Sequence, residues 1–246
     1  GKCIWNWHMS AICEELQTAA ERVFRGEPRP YDLLINISPG TSKSSIVSIL
    51  FPAWLWVRMP ACRILCASHT DSLVLDLSNK SRDVIRSEKY KTCFPEICLS
   101  PAQDVKSYFR NTAGGDRNTC TVAGKSPMGQ HALVLVIDDP IDPKKVLSDL
   151  ELLNAKNFMT NVISNRKVDK SVALTVLVMQ RLGVGDPSEV MLEESLKEGA
   201  CPVRHICLPA ELTEEVKPSI LRERYIDGLM DPVRLRAALA QQGWTA

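Results

Sequence analysis

Three short stretches of this sequence carry residue types able to handle a phosphate. The first is Ser38-Pro39-Gly40-Thr41-Ser42-Lys43-Ser44-Ser45, which follows the apolar run at 31–37 and leads into a run of helical character. A strand, a tight turn and a helix whose first positions are Lys and Ser form the setting of a phosphate-binding loop. Backbone N–H groups of such a turn converge on phosphate oxygens, and the helix N-terminus adds its partial positive charge. Lys43 is then expected to reach the β- and γ-phosphates of a nucleotide, and Ser44 to offer its hydroxyl to Mg²⁺. The second stretch is Leu133-Val134-Leu135-Val136-Ile137-Asp138-Asp139, an apolar run ending in paired carboxylates. Asp138 suits a Mg²⁺-binding role at the end of a strand beside the loop, and Asp139 suits polarisation of an attacking water. The third is the apolar run 171–179, which leads straight into Gln180-Arg181. A polar pair at the C-terminal end of a core strand faces the crevice where open α/β sheets bind ligands, so Gln180 is placed to sense a γ-phosphate and to couple its loss to movement.

Each stretch also has a plainer reading. The loop departs from Gly-x-x-x-x-Gly-Lys-Ser/Thr at both glycines: Ile37 stands at the first and Ser42 at the second. A positive φ at Ser42 would be strained, since glycine alone takes that conformation freely. Without a ligand these residues read as a strand–turn–helix with a solvent-facing Lys, and Asp138-Asp139-Pro140 as good turn chemistry.

Around these stretches the chain has the make-up of an ordinary folded α/β protein. It has 246 residues, 45% of them hydrophobic and 24% charged, with Lys plus Arg 30 against Asp plus Glu 29. That excludes disordered and collagen-like classes, and a net charge of +1 neither announces nor forbids nucleic acid. The longest uncharged run, 44–57, is interrupted by Pro52 and too short for a membrane span. The cysteines number 9 and form no Cys-x-x-Cys pair, which favours reduced, mostly buried thiols over a zinc site.

The periodicity predicts helices at 6–25, 43–57 (kinked at Pro52), 71–87, 144–162, 187–198 and a charged helical tail at 218–241. It predicts strands at 31–37, 62–67, 133–137, 171–179 and 203–208. Two more, at 105–111 and 118–123, are joined through Gly114-Gly115. Strands alternating with helices imply an α/β fold with a mainly parallel central sheet flanked by helices.

Taken together the residues resemble the large terminase subunit of tailed double-stranded DNA bacteriophages. The resemblance runs through Asn6-Trp7-His8 with Ile12, Cys13 and Leu16, LLINISPGTSKSS at 33–45 and RILCASHTDSLVLDLSNKSRDVIRSEKY at 63–90. It continues through Phe94-Pro95, the 124–129 segment leading into VLVIDDP, VLVMQRL at 176–182 and Leu208-Pro209-Ala210. It implies a P-loop NTPase fold of the ASCE type over 1–210 and a helical linker over 211–246 leading to a nuclease domain that this chain lacks. The implied activity is Mg²⁺-dependent ATP hydrolysis, with no nuclease activity, powering translocation of viral DNA into a procapsid. The implied ATP-binding set is Trp7 on the adenine side with Ser38, Pro39, Gly40, Thr41, Ser42, Lys43, Ser44 and Ser45. The metal-binding pair is Ser44 and Asp138, and the catalytic set is Lys43, Asp139 and Gln180.

Where many relatives carry an arginine finger this chain has Gln130 and His131, so Lys125, Arg117 or Arg181 becomes the candidate cation. The implied partners are double-stranded DNA, the phage portal protein, the small terminase subunit and further copies in a ring, with no membrane. The implied location is the cytoplasm of the infected host, and not the mature virion. DNA contact is expected through scattered basic pairs such as Lys144-Lys145, Arg166-Lys167 and Arg234-Arg236. The rival readings are another DNA-dependent P-loop ATPase, a nucleotide-binding regulator with little hydrolysis, and an unrelated enzyme using Asp138 and Asp139 as an acid/base pair.

Overall fold

A computed structural model describes residues 4–122, 124 and 130–233. Eight strands form one sheet: β1 (Asp32–Ile37), β2 (Arg63–Ser68), β3 (Leu99–Val105), β4 (Tyr108–Asn111), β5 (Asp116–Thr121), β6 (Val134–Asp138), β7 (Leu174–Met179) and β8 (Val203–Leu208). Their order is β3-β4-β5-β2-β6-β7-β1-β8. The run from β5 to β8 is parallel, and β3 and β4 add an antiparallel edge. Strand β7 lies between loop-bearing β1 and carboxylate-bearing β6, in register Val136↔Val176 on one side and Leu33↔Val176 on the other. The residue after β7 therefore rises between the loop and the carboxylates.

The continuous apolar strands follow from burial of both sheet faces. Leu33, Ile35, Ile37, Val134, Val136, Val176 and Val178 point to one side. There they meet α1 (Trp7–Phe24), α2 (Phe51–Arg58) and α3 (Asp71–Arg86). Leu34, Leu135, Ile137, Leu177 and Met179 point to the other, against Phe158, Ile163 and Met191. Helix α1 buries Met9, Ile12, Leu16, Ala19, Ala20 and Val23 along one stripe, and the Asn6 side chain accepts from its first N–H. Thr70 caps α3, and Asp186 caps α6 (Pro187–Ser195). The eight described cysteines are free, and burial pushes Cys62 and Cys120 up to about 12, which makes them inert.

Several expectations are corrected. The 71–87 helix stops at Arg86, because Ser87 takes an extended backbone and caps a separate short helix, α4 (Glu88–Cys93). Edge strand β3 went unread because it is polar and carries Pro101 among exposed residues, which suits a sheet margin. The 144–162 helix is broken into a 3₁₀ turn at Pro143–Lys145, α5 (Asp149–Asn157) and a π-helical turn at Phe158–Val162. Of the expected tail helix at 218–241, the described residues hold a 3₁₀ turn at Ser219–Arg224 and helical backbone at 232–233, and 234–241 lie outside the described residues. The chain around the turn folds back: Met230 N–H donates to Ala210 O, Tyr225 Oη donates to Pro209 O, and Val216 and Met230 are buried in the core.

Candidate active site

The loop after β1 begins a helix at Lys43 that passes directly into a π-helical turn at Ser45–Leu50 and then α2. Pro52 explains the irregularity, since it has no N–H for the carbonyl of Ser48 four residues back. The Arg117 guanidinium donates to that carbonyl instead, at 3.3 Å. Gly40 and Ser42 both have left-handed backbone, with φ of 76° and 64°. The strain foreseen at Ser42 is therefore present, at a cost of roughly 1–2 kcal/mol. The loop is held in that shape from within and below: Thr41 Oγ1 donates to Ser38 O at 2.8 Å, and buried His8 donates through Nε2 to Thr41 O at 3.1 Å.

The carboxylates of β6 come up against this helix start. Lys43 Nζ lies 2.7 Å from Asp139 Oδ1. Ser44 Oγ donates to Asp138 Oδ1 at 3.1 Å, and Ser48 Oγ donates to Asp138 Oδ2 at 2.6 Å. Consecutive strand residues point to opposite faces, but Asp139 has φ 44° and ends that alternation, so both carboxylates reach the same helix start. Asp138 is 1% exposed. Burial, and then the neighbouring Asp139 charge, push its carboxyl up to about 6, against the pull of the two serine hydroxyls.

A cleft of about 440 Å³ opens above these groups, lined by Pro39, Gly40, Ser42, Lys43, Ser44, Ser45, Asp139, Pro143 and Gln180. A recess of about 210 Å³ adjoins it, shares Pro39 and Gln180, and extends to Arg181, Leu208 and Glu215. The structure thus gathers Lys43, Ser44, Asp138, Asp139 and Gln180 at the C-terminal edge of β1, β6 and β7, where the sequence reading put them.

Other expected site residues lie elsewhere. Trp7 does not line the cleft: its Nε1 donates to Met230 O at 3.0 Å and its ring lies 5.6 Å from that of Tyr225, so it pins the returning C-terminal segment. Arg117 cannot act as an exposed finger, because it is 1% exposed, hydrogen-bonded to Ser78 and the Ser48 carbonyl, and set over the Phe109 ring. Arg181, by contrast, lines the adjoining recess, where buried Asp186 holds it at 3.0 Å. Lys125 lies outside the described residues.

Two site residues escaped the sequence reading. Ser48 stands one helical turn after Ser44, a spacing that puts both hydroxyls on one face. His69 follows β2 as Gln180 follows β7, and its Nδ1–H donates to Asp139 O at 2.8 Å, fixing the left-handed residue. A rule that any polar residue just past a core strand belongs to the same edge would have found it.

The oxygen set of Ser44 and Asp138 suits a hard divalent cation. Asp138 is a buried carboxylate held only by hydroxyls, and a cation there would relieve the burial that now favours its protonated form. The donor set therefore fits Mg²⁺.

No family model matches the chain, and no curated protein matches it by sequence. Among solved structures it is similar to the HK97 bacteriophage large terminase, at 12% identity and a TM-score of 0.57, over 93% of this chain and 46% of that one. It also aligns with the N-terminal domain of the DNA packaging ATPase from bacteriophage phi29, at 15% identity and a TM-score of 0.44, over 67% of this chain and 80% of that one. The chain therefore spans about half the length of the HK97 protein. At this identity the likeness is one of fold alone: the chain shares with the HK97 large terminase an α/β architecture, here a mainly parallel central sheet flanked by helices.

Proposed function

We propose that this chain hydrolyses ATP with Mg²⁺ to drive translocation of double-stranded viral DNA into a procapsid. The observation that carries the reading is the convergence of Lys43, Ser44, Asp139 and Gln180 on one cleft from three neighbouring strands, with Asp138 buried beneath Ser44. The loop at 38–45 cradles the phosphates, and the helix start at Lys43 supplies aligned N–H groups. The adjoining recess offers room for the nucleoside. Ser44 and Asp138 would hold the cation, which would supply charge neutralisation on the β- and γ-phosphates.

Lys43 and Asp139 form an ion pair in the ligand-free protein. A γ-phosphate competes for the ammonium and frees Asp139 to accept a proton from the attacking water. Gln180, between loop and carboxylates, bridges water and γ-phosphate, and loses a partner when phosphate leaves. The motor reading brings with it the portal protein, the small terminase subunit and a ring of copies as partners. It places the protein in the host cytoplasm during infection, outside the finished virion.

The test is steady-state phosphate release with and without double-stranded DNA. Wild type turns over and is stimulated by DNA, while Lys43→Ala loses turnover and binds ATP more weakly, because charge developing on the phosphates goes unneutralised. Turnover unchanged in Lys43→Ala contradicts the loop assignment. The regulator reading is favoured by the Lys43–Asp139 pair, which holds the base at rest; tight ATP binding without DNA-stimulated turnover would support it instead.

A further inference from the structure

At the opposite end of β1 from the phosphate loop lies a second charged cavity, of about 230 Å³. Asp32 opens β1, and the loop begins after Ile37, so the two sites are separated by roughly 17 Å along the strand. Among the residues lining this cavity are Arg29, Asp32, Lys167, Thr175, Glu194 and Cys201. The Asp32 carboxylate is shared by two cations: Arg29 Nε lies 2.9 Å from Oδ1, and Lys167 Nζ lies 2.9 Å from Oδ2. Asp32 Oδ1 also accepts from the Thr175 backbone N–H at 2.8 Å. The cation side chains are 9% and 7% exposed.

The charges do not balance. Glu194 reaches the cavity from α6, but both its oxygens accept from Lys197, at 2.6 and 2.7 Å. Asp169 feels Arg29 from the exposed surface, where water screens it. Among the described residues that leaves one buried positive charge in excess, a costly arrangement unless an anion completes it. Burial and the neighbouring Arg29 lower the Lys167 ammonium, against the pull of Asp32, as expected of a cation short of counter-charge. Polar atoms are also left over. Among the described residues the buried Thr175 hydroxyl has no hydrogen-bond partner, and Arg29 Nε, ion-paired with Asp32, has no aligned acceptor. Lys167 has three N–H groups, and among the described residues Asp32 is the hydrogen-bond acceptor for one of them.

We propose that this cavity binds a small oxyanion, a phosphate or a compact carboxylate, held by Arg29 and Lys167 at the end of the sheet remote from the nucleotide cleft. Planar guanidinium and point-charge ammonium groups side by side match an anion presenting two or three oxygens. The volume takes a free anion or one small substituent, and not a nucleotide.

The test is thermal unfolding of the whole chain titrated with inorganic phosphate in one arm and malonate in the other. The phosphate loop also binds phosphate, so both arms are repeated in Lys43→Ala. One anion or both should raise the midpoint saturably, by roughly 3–6 °C at ten times the dissociation constant, in wild type and in Lys43→Ala alike. The shift seen in the Lys43→Ala background should vanish when Lys167→Met is added, and the ligand-free midpoint of Lys167→Met should equal or exceed that of wild type, since an unbalanced buried charge is gone. Should Lys167→Met not fold, selenate soaked into wild-type crystals and located by anomalous scattering decides the matter. A peak beside Lys167 Nζ and Arg29 upholds the site. A midpoint shift that disappears with Lys43 and survives Lys167→Met, or selenate only at the 38–45 loop, overturns it.

Discussion

Asp138 concentrates the conflict between folding and function in one side chain. Its carboxyl titrates near 6 in the folded chain, above the ~3.9 of an unfolded Asp. Between those values the folded state holds the proton more tightly, so the group's contribution favours the fold below about pH 4 and is lost as pH rises through about 6. Asp138→Asn removes the charge while keeping the shape, and the Ser44 and Ser48 hydroxyls can turn to suit an amide. The ligand-free variant should therefore gain on wild type in unfolding midpoint between pH 5 and pH 8, by several degrees at ~2–4 °C per kcal/mol, while Mg²⁺-dependent nucleotide binding falls. A midpoint difference that ignores pH would contradict this picture. Asp138 and Asp139 were legible in the sequence because an apolar run ending in two acids is rare. Ser48 was hidden because a serine inside an apolar helix looks like filler, and its role depends on a strand that arrives ninety residues later.

At the scale of elements, the loop was readable despite lacking both expected glycines, because strand, turn and Lys-Ser helix start together specify it. Its price is the left-handed Ser42. Ser42→Gly should raise fold stability by up to roughly 1 kcal/mol, the relieved strain less the added freedom of the unfolded chain, and should leave ATP affinity intact in equilibrium titration. Lower stability would mean that the Ser42 side chain contributes more than its backbone costs. The kink expected at Pro52 proved to be a π-helical turn, because the carbonyl freed by proline finds Arg117 on β5. That donor lies far off in sequence, and the same distance explains why Arg117 read as a free cation. The polar edge strand β3 and the split of α5 from its flanking turns were illegible for a related reason: neither element's period shows in hydrophobicity, and tertiary contacts set their limits.

For the whole molecule, the proposed motor role makes charge the measure of how DNA would be held. The net charge is +1, and Lys167 of the expected Arg166-Lys167 pair is recessed in a cavity against Asp32, out of reach of a DNA backbone. Arg234 and Arg236 lie outside the described residues. Few phosphate contacts then form, and the slope of log affinity against log salt should be shallow, about −2 to −4 for two to four contacts; salt-insensitive or sequence-specific binding would contradict a translocating motor. The sheet order itself could not be read along the chain, since nothing local says that β7 inserts between β1 and β6. Yet that insertion is what brings Gln180 up beside Lys43 and Asp139. Whether this edge of the sheet is a hydrolytic site is tested most directly by single-turnover phosphate release from Asp139→Asn, with ATP binding measured in parallel. ATP affinity should stay within a few-fold of wild type and phosphate release should slow by about 10²–10⁴, the share of a positioned general base. Phosphate release at the wild-type rate would contradict that assignment.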